Sequence, residues 1–307
     1  MDNNVLLNVQ KKKKSKMKKD KIIFLIEAMA LPILQFIIMY VFVNFNSILL
    51  SFKSYNGDGT FSFSGFGNFV RVFKDFKTEA SMQYILKNSL TMYLVTSPLM
   101  LFTCMLLSFA VWKKVWFSKF FSVVLFLPSI LPSMVFVIIG RFAFQNLVPA
   151  ITGVAAHGEI LNAPQGFTTL LWYQFVVGFG PNVIYFLGSM SGISPSVVEA
   201  GKLDGANAFR EFIHIVFPSV FPTLTSLVVV GIVSIFGNQG YILAYYGVQA
   251  PNSVRTIGYE IYIRVKNSVN YYDYPVTAAM GMTFTLIAIP VVMLVKYLMG
   301  KFGPSED

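Results

Sequence analysis

The sequence predicts an all-α, polytopic membrane protein with six transmembrane helices, and three observations carry that expectation. First, 55% of its 307 residues are hydrophobic and only 12% are charged, where a soluble domain carries about twice that charged share. Second, six apolar runs reach or exceed the ~20 residues needed to cross the hydrocarbon of a bilayer. Third, Lys and Arg are sorted between alternate connections, as they are around membrane spans. The single cysteine, Cys104, lies within an apolar run. An intramolecular disulfide and a cysteine metal cluster are therefore both excluded.

In chain order, residues 1–21 form a basic segment: eight of the 24 Lys and Arg precede Ile22, in QKKKKSKMKKDK. Beside a span, such a cluster reads as a cytoplasmic anchor against anionic membrane lipid. The net charge of +10 would also suit nucleic acid, but no basic-aromatic binding module follows, and no nucleic-acid partner is expected. The membrane domain is assigned to residues 22–300, with spans at about 22–50, 85–111, 120–140, 167–192, 219–245 and 275–299. The first run is too long for a signal-peptide core, and no small-residue cleavage site follows it promptly. Pro32 marks a candidate kink in it, and Pro128 and Pro132 interrupt the third span. Ser51–Tyr84 is polar and glycine-rich and reads as an exposed connection. Arg141–Gly166, with His157, and Tyr246–Tyr274 read as further polar connections. Residues 301–307 form a short tail.

Between the fourth and fifth spans, residues 193–218 form a polar interruption that reads as two short helices. Ser194 followed by Pro195 suits a helix start. The first helix is expected to end at Leu203, with Gly205 as its C-terminal cap and Asp204 accepting N–H bonds from the turn. The second places Phe209, Phe212, Ile213 and Val216 on one face. Arg210, Glu211 and His214 fall elsewhere, and Pro218 closes the helix. The element is too short and polar to span, and compact enough to protrude as a docking piece.

The string EAGKLDGANAFREFIHIVFP resembles the EAA loop of permease subunits in ATP-binding-cassette importers. Glu199, Ala200, Asp204, Gly205, Ala206, Phe212, Ile215 and Pro218 fit the pattern, and Gly201 stands where its second Ala is expected. The resemblance implies a coupling helix, formed around Glu199, Ala200, Gly201, Asp204, Gly205, Ala206, Phe209 and Phe212, that sits in a groove of an ATPase subunit.

Charge orients the chain. With the N-terminus inside, eight Lys and Arg precede Ile22, three lie in the second-to-third turn, two in the docking loop and two near the C-terminus, against nine on the other side. The positive-inside rule then places both termini and the EAA-like loop in the cytoplasm of a bacterial cell, with the chain multi-pass in the plasma membrane.

Function classes narrow from what the spans hold. The six assigned spans contain one carboxylate, Glu27, near the inner end of the first, which reads as interfacial rather than as a proton relay. No GxxxxGK[ST] loop occurs in the 307 residues, so the chain is not read as an enzyme or as binding a cofactor; ATP and Mg would be bound by partner ATPase subunits. His157 and His214 fall in loops assigned to opposite faces, with no metal-ligand spacing.

A second resemblance concerns WYQFVVGFGPNVIYFLGSMSGISPSVVEAGKLDGA and APNSVRTIGYEIY. Both are similar to stretches of maltose-type carbohydrate permeases, the inner-membrane components of binding-protein-dependent systems, although the Gly-Gly pair of the second stretch is absent here. This resemblance implies a second, non-identical permease, a dimer of ATP-binding-cassette ATPases, an extracytoplasmic sugar-binding protein and an oligosaccharide substrate. A sugar pathway needs amides, hydroxyls and aromatic faces, and Gln174, Asn182, Asn238 and Gln239, with Tyr173, Tyr185 and Tyr241, are the candidates. Each could equally be helix–helix glue or interfacial aromatic. The nine outer cations against six acids suit a neutral or a uronate-containing oligosaccharide. A self-contained secondary transporter, and an ATP-driven permease for amino acids or peptides, are the alternatives.

Overall fold

The computed structural model describes residues 3–147, 150–151, 165–268 and 271–304, with the backbone path alone for 3–18, 144–145 and 165. His157 and most of the third-to-fourth connection lie outside the described residues. The chain is almost wholly helical. Helix α1 (Asn3–Phe36) begins within the basic segment and carries Pro32 without a break. A π-turn at Ile37–Phe42 follows, and then α2 (Val43–Ser51). Residues 19–49 are exposed throughout, and burial begins only at Leu50 and Ser51. The first span thus presents its apolar sides away from the rest of the chain, as lipid or another membrane helix would require.

A two-stranded antiparallel hairpin, β1 (Lys53–Tyr55) and β2 (Phe61–Phe63), pairs Lys53 with Phe63 and Tyr55 with Phe61. In its turn, the Asp58 carboxylate accepts from the Thr60 amide at 2.9 Å and the Thr60 hydroxyl at 2.5 Å. Those bonds hold it below the usual carboxylate range. Helix α3 (Gly67–Thr78) then buries Asn68, Phe69 and Val72. Asn68 Nδ2 donates to the carbonyls of Ser51 and Lys53. The exposed connection expected here is therefore partly a packed element.

The bundle is built on α4 (Ala80–Trp112), which packs along α7 (Gln165–Ser191), α10 (Phe217–Gly237) and α3. Between α4 and α7 the chain forms α5 (Ser118–Ile130) and α6 (Ser133–Phe142), bent by 105° at Leu131–Pro132. Leu131 is extended at ψ 135°, because the proline ring disfavours the helical region for its predecessor. Among the described residues, five helices are long and apolar enough to cross a membrane, and the count is six if the bent pair is one span. The last is α13 (Asp273–Phe302).

Two expectations about connections are corrected. After α10 the chain unwinds at Asn238–Gly240, within the fifth run, and resumes as α11 (Ile242–Tyr246). The following stretch, read as a polar connection, folds into the bundle as α12 (Ile257–Asn267), with Ile257, Tyr259, Glu260 and Ile263 buried. Its charges are matched locally: Glu260 accepts from Arg264 Nε at 2.8 Å and Arg255 NH1 at 3.3 Å. Pairing is what makes a 6%-exposed carboxylate tolerable there. Gly258 lets α12 begin against the end of α10. A Cβ at that position would meet the Gly237 carbonyl carbon at 2.6 Å.

Candidate functional site

Three helices line a common recess. On α4 the lining residues are Ser89, Met92, Tyr93, Thr96, Ser97, Met100 and Leu101, spaced i, i+3, i+4, i+7, i+8, i+11 and i+12. On α10 they are Leu227, Val230, Gly231, Ser234 and Ile235, with Asn238 just past its end, so each set forms one helical stripe. Helix α7 contributes Gln174, Asn182 and Tyr185. The cavity between them has a volume of about 210 Å³, and none of its described lining residues is charged. Tyr93 ties two walls together, its hydroxyl donating to the Val228 carbonyl at 3.2 Å. The Asn182 amide donates to the Gly178 carbonyl at 2.7 Å, one turn back. An adjoining recess of about 500 Å³ shares Gln174 and Asn238 and adds Gln239 and Tyr241.

The unwound segment of the fifth span borders both recesses, the first through Asn238 and the second through Asn238, Gln239 and Gly240. Unwound backbone is tolerable at membrane depth only where other groups satisfy it. Here the Asn238 side chain accepts from the Gly240 amide at 2.8 Å, and the Asn238 carbonyl accepts from the Thr256 hydroxyl at 3.0 Å. At the same end of α4, Asn88 Nδ2 donates to the Ser253 and Arg255 carbonyls, and the Ile257 amide donates to Ser89 Oγ at 2.8 Å.

Of the seven pathway residues expected from sequence, Gln174, Asn182, Tyr185 and Asn238 meet at the first recess, and Gln239 and Tyr241 line the second. Tyr173 lines neither recess, although its ring lies 6.1 Å from that of Tyr241. It is 5% exposed and packs with Val137, Ile242 and Tyr245 in the core, its ring edge-on to Phe136. A shift of one position from Gln174 turns a side chain by about 100° on a helix, which carries Tyr173 off the lining face. The stripe Ser89, Tyr93, Thr96, Ser97 was missed, although its helical spacing of hydroxyls within an apolar run was readable.

At the opposite end of α4 lies the EAA-like element. Helix α8 (Pro195–Leu203) has Ser194 at its N-cap and Pro195 in its first turn. The Ser194 hydroxyl, expected to cap backbone amides, pairs instead with the Ser196 hydroxyl at 2.8 Å. The helix ends in a Schellman turn. The Ala206 amide reaches the Gly201 carbonyl at 2.9 Å, the Gly205 amide reaches the Lys202 carbonyl at 3.0 Å, and Gly205 takes φ +75°. The following cap is Asn207 rather than Asp204: Asn207 Oδ1 accepts from the Arg210 amide at 2.9 Å and starts α9 (Ala208–Glu211).

Pro218 does not close this second helix. Residues 212–216 form a π-turn that leads straight into α10, so α9 is the protruding end of the fifth span. Pro218 has no N–H to give the carbonyl of residue 214. The ladder upstream of it is taken up in the wider register, with the Phe217 amide bonding the Phe212 carbonyl. The expected apolar face is split accordingly: Phe212 and Val216 are buried, while Phe209 and Ile213 are exposed. Glu211, placed by the sequence on a polar face, is 3% exposed and bonded to Lys113. Glu199, Ala200, Asp204 and Gly205 are exposed, and Gly201 and Ala206 half-buried. Ile215 rests against Gly201. Leu203 and Phe209, 89% and 70% exposed, give the tip an apolar surface.

Residues 100–305 match the family described as binding-protein-dependent transport system inner membrane component. The chain is 23% identical to the arabinooligosaccharides transport system permease protein of Halalkalibacterium halodurans, over 90% of this chain and 87% of that one. It is 22% identical to the polygalacturonan/rhamnogalacturonan transport system permease protein of Bacillus subtilis, over 90% and 87%. Its fold is similar to a chain of a bacterial ABC transporter involved in the import of the acidic polysaccharide alginate. That match has a TM-score of 0.73 at 18% identity and covers 94% of this chain and 99% of that one.

Proposed function

This chain belongs to the family of binding-protein-dependent transport system inner membrane components, and from that membership we propose that it is one permease subunit of an ATP-driven importer of oligosaccharides, neutral or uronate-containing. The chain itself is a non-catalytic membrane subunit. In this reading ATP and Mg are bound by a dimer of partner ATPase subunits, a second permease supplies the other half of the pathway, and an extracytoplasmic sugar-binding protein delivers the substrate. The exposed first span suits a membrane partner or lipid. Residues 1–21 and the tail at 301–307 are cytoplasmic, flanking a membrane domain of residues 22–300.

The observation that carries the substrate class is the cavity between α4, α7 and α10. Amides from Gln174, Asn182 and Asn238, hydroxyls from Tyr93, Thr96, Ser97 and Ser234, and the ring of Tyr185 surround a space without charged residues. Such a lining exchanges hydrogen bonds with sugar hydroxyls and offers an aromatic face to a pyranose, and it demands no counter-ion. The names of the relatives point the same way. The docking role of Glu199, Ala200, Gly201, Asp204, Gly205, Ala206, Phe209 and Phe212 is supported by a protruding element with an apolar tip, at the end of the bundle opposite the hairpin.

Coupling in this reading runs from the ATPase dimer to the loop and from the loop to the helices around the cavity. The test is uptake by proteoliposomes holding the complete importer. Gln174→Ala with Asn238→Ala should lower uptake at least about tenfold, as loss of hydrogen bonds to a hydroxylated substrate does, while ATPase subunits stay attached. Unchanged uptake by the double variant would remove these residues from the pathway. Gradient-driven uptake by the chain alone would overturn the whole reading.

A further inference from the structure

Lys113 and Glu211 lie 98 residues apart in sequence and meet at the docking end of the bundle. Lys113 Nζ donates to both Glu211 carboxylate oxygens, at 2.9 and 2.7 Å. The carboxylate is 3% exposed and the lysine 27%. A carboxylate so buried needs its partner, and removing either charge strands the other. The pair sits where three elements join. Lys113 is the C-cap of α4, whose terminal carbonyls favour a cation. Glu211 is the last residue of α9, one position before the π-turn. The next residue, Phe212, packs on Phe109 of α4 with ring centroids 5.2 Å apart.

We propose that the Lys113–Glu211 pair is a latch that makes α4 follow the docking element, and that Glu211 and Lys113 are positioning residues for the coupling of ATP binding to the cavity. The latch rests on the docking reading above. Beyond the π-turn the fifth span could bend independently of its protruding end, since the wide turn is a local weakness in the helix. The ion pair bypasses that weakness. It ties the protruding end directly to α4, which carries Ser89, Tyr93, Thr96 and Ser97 into the cavity. At its far end α4 is bonded through Asn88 and Ser89 to the Ser253–Ile257 segment, whose Thr256 lines the cavity and donates to the Asn238 carbonyl. Displacement of the loop therefore reaches the cavity wall and the Ser253–Ile257 segment through one continuous helix.

The test uses the full chain in the assembled importer in lipid nanodiscs, with Ser97→Cys as a cavity reporter in a Cys104→Ser background and N-ethylmaleimide as the probe. In the parent, the labelling rate should change about tenfold between nucleotide-free and ATP-trapped states, a typical size for coupling between sites. E211Q keeps the shape and removes the charge. It should retain its ATPase subunits and their basal hydrolysis, yet lose most of that change. The exchanged pair K113E with E211K should restore it, which a merely structural loss would not predict. Where E211Q fails to assemble, the exchanged pair carries the test, and its failure to respond while assembled would overturn the latch. A full ATP-dependent change in E211Q would overturn it too. A parent that retains no ATPase subunit would instead overturn the docking reading, and the latch with it.

Discussion

Gly205 sits at φ +75° with open space around its Cα, so backbone conformation and not crowding selects glycine there. A β-branched residue in the left-handed region costs roughly 1–2 kcal/mol, concentrated in the turn between α8 and α9. Gly205→Val should therefore loosen the Schellman turn, seen as faster amide exchange at Ala206 and Asn207 and weaker retention of ATPase subunits. Wild-type exchange there would disprove the turn's dependence on glycine. Glu199 differs in kind: it is exposed, so Glu199→Ala should leave the chain's thermal midpoint unchanged and lower transport per ATP. A fall in the midpoint with normal transport would make it structural. Asn88 is a third case. Its amide serves two carbonyls in a partly buried site, and Asn88→Ala should cost about 1–3 kcal/mol by leaving them unpaired. The measurement is thermal aggregation in detergent.

Element breaks in this chain have local chemical causes. Leu131 precedes Pro132 and is extended, and α5 and α6 diverge by 105°. Pro132→Ala gives residue 131 access to the helical region and returns one N–H to the ladder. Spin labels at Phe121 and Ile139 should then move apart as the bend opens, and an unchanged distance would assign the bend to tertiary packing. Proline identity was visible in the sequence; its consequence differed by site. Pro32 passes within a continuous helix, whereas Pro218 coincides with a π-turn rather than a terminus. What decides is whether the displaced carbonyl finds another donor. A helix can shift to the i→i+5 register where neighbouring packing holds it, and the sequence contains no record of that packing.

Across the whole molecule, the hairpin and α12 lie at one end of α4 and the EAA-like element at the other. The charge distribution predicts that the second of these is cytoplasmic. Leu203→Cys and Phe63→Cys, at positions 89% and 82% exposed, separate the ends in a Cys104→Ser background. In right-side-out vesicles a membrane-impermeant maleimide should label position 63 and spare position 203 until the membrane is permeabilised. The reverse pattern would invert the topology.

The six apolar runs and the bend at Pro132 are properties of consecutive residues, because a bilayer selects length and hydropathy directly and proline constrains its predecessor. So is the EAA-like string, whose cap and glycine chemistry is local. Most of the amides that line the two recesses were also legible, since amides inside apolar runs are costly without a purpose. Three things depended on how helices pack: Tyr173 turned into the core, α12 drawn into the bundle, and Glu211 buried against Lys113. Each is settled by which face of one helix meets another far along the chain. A face fixes burial, and burial converts an ordinary surface glutamate into half of an ion pair.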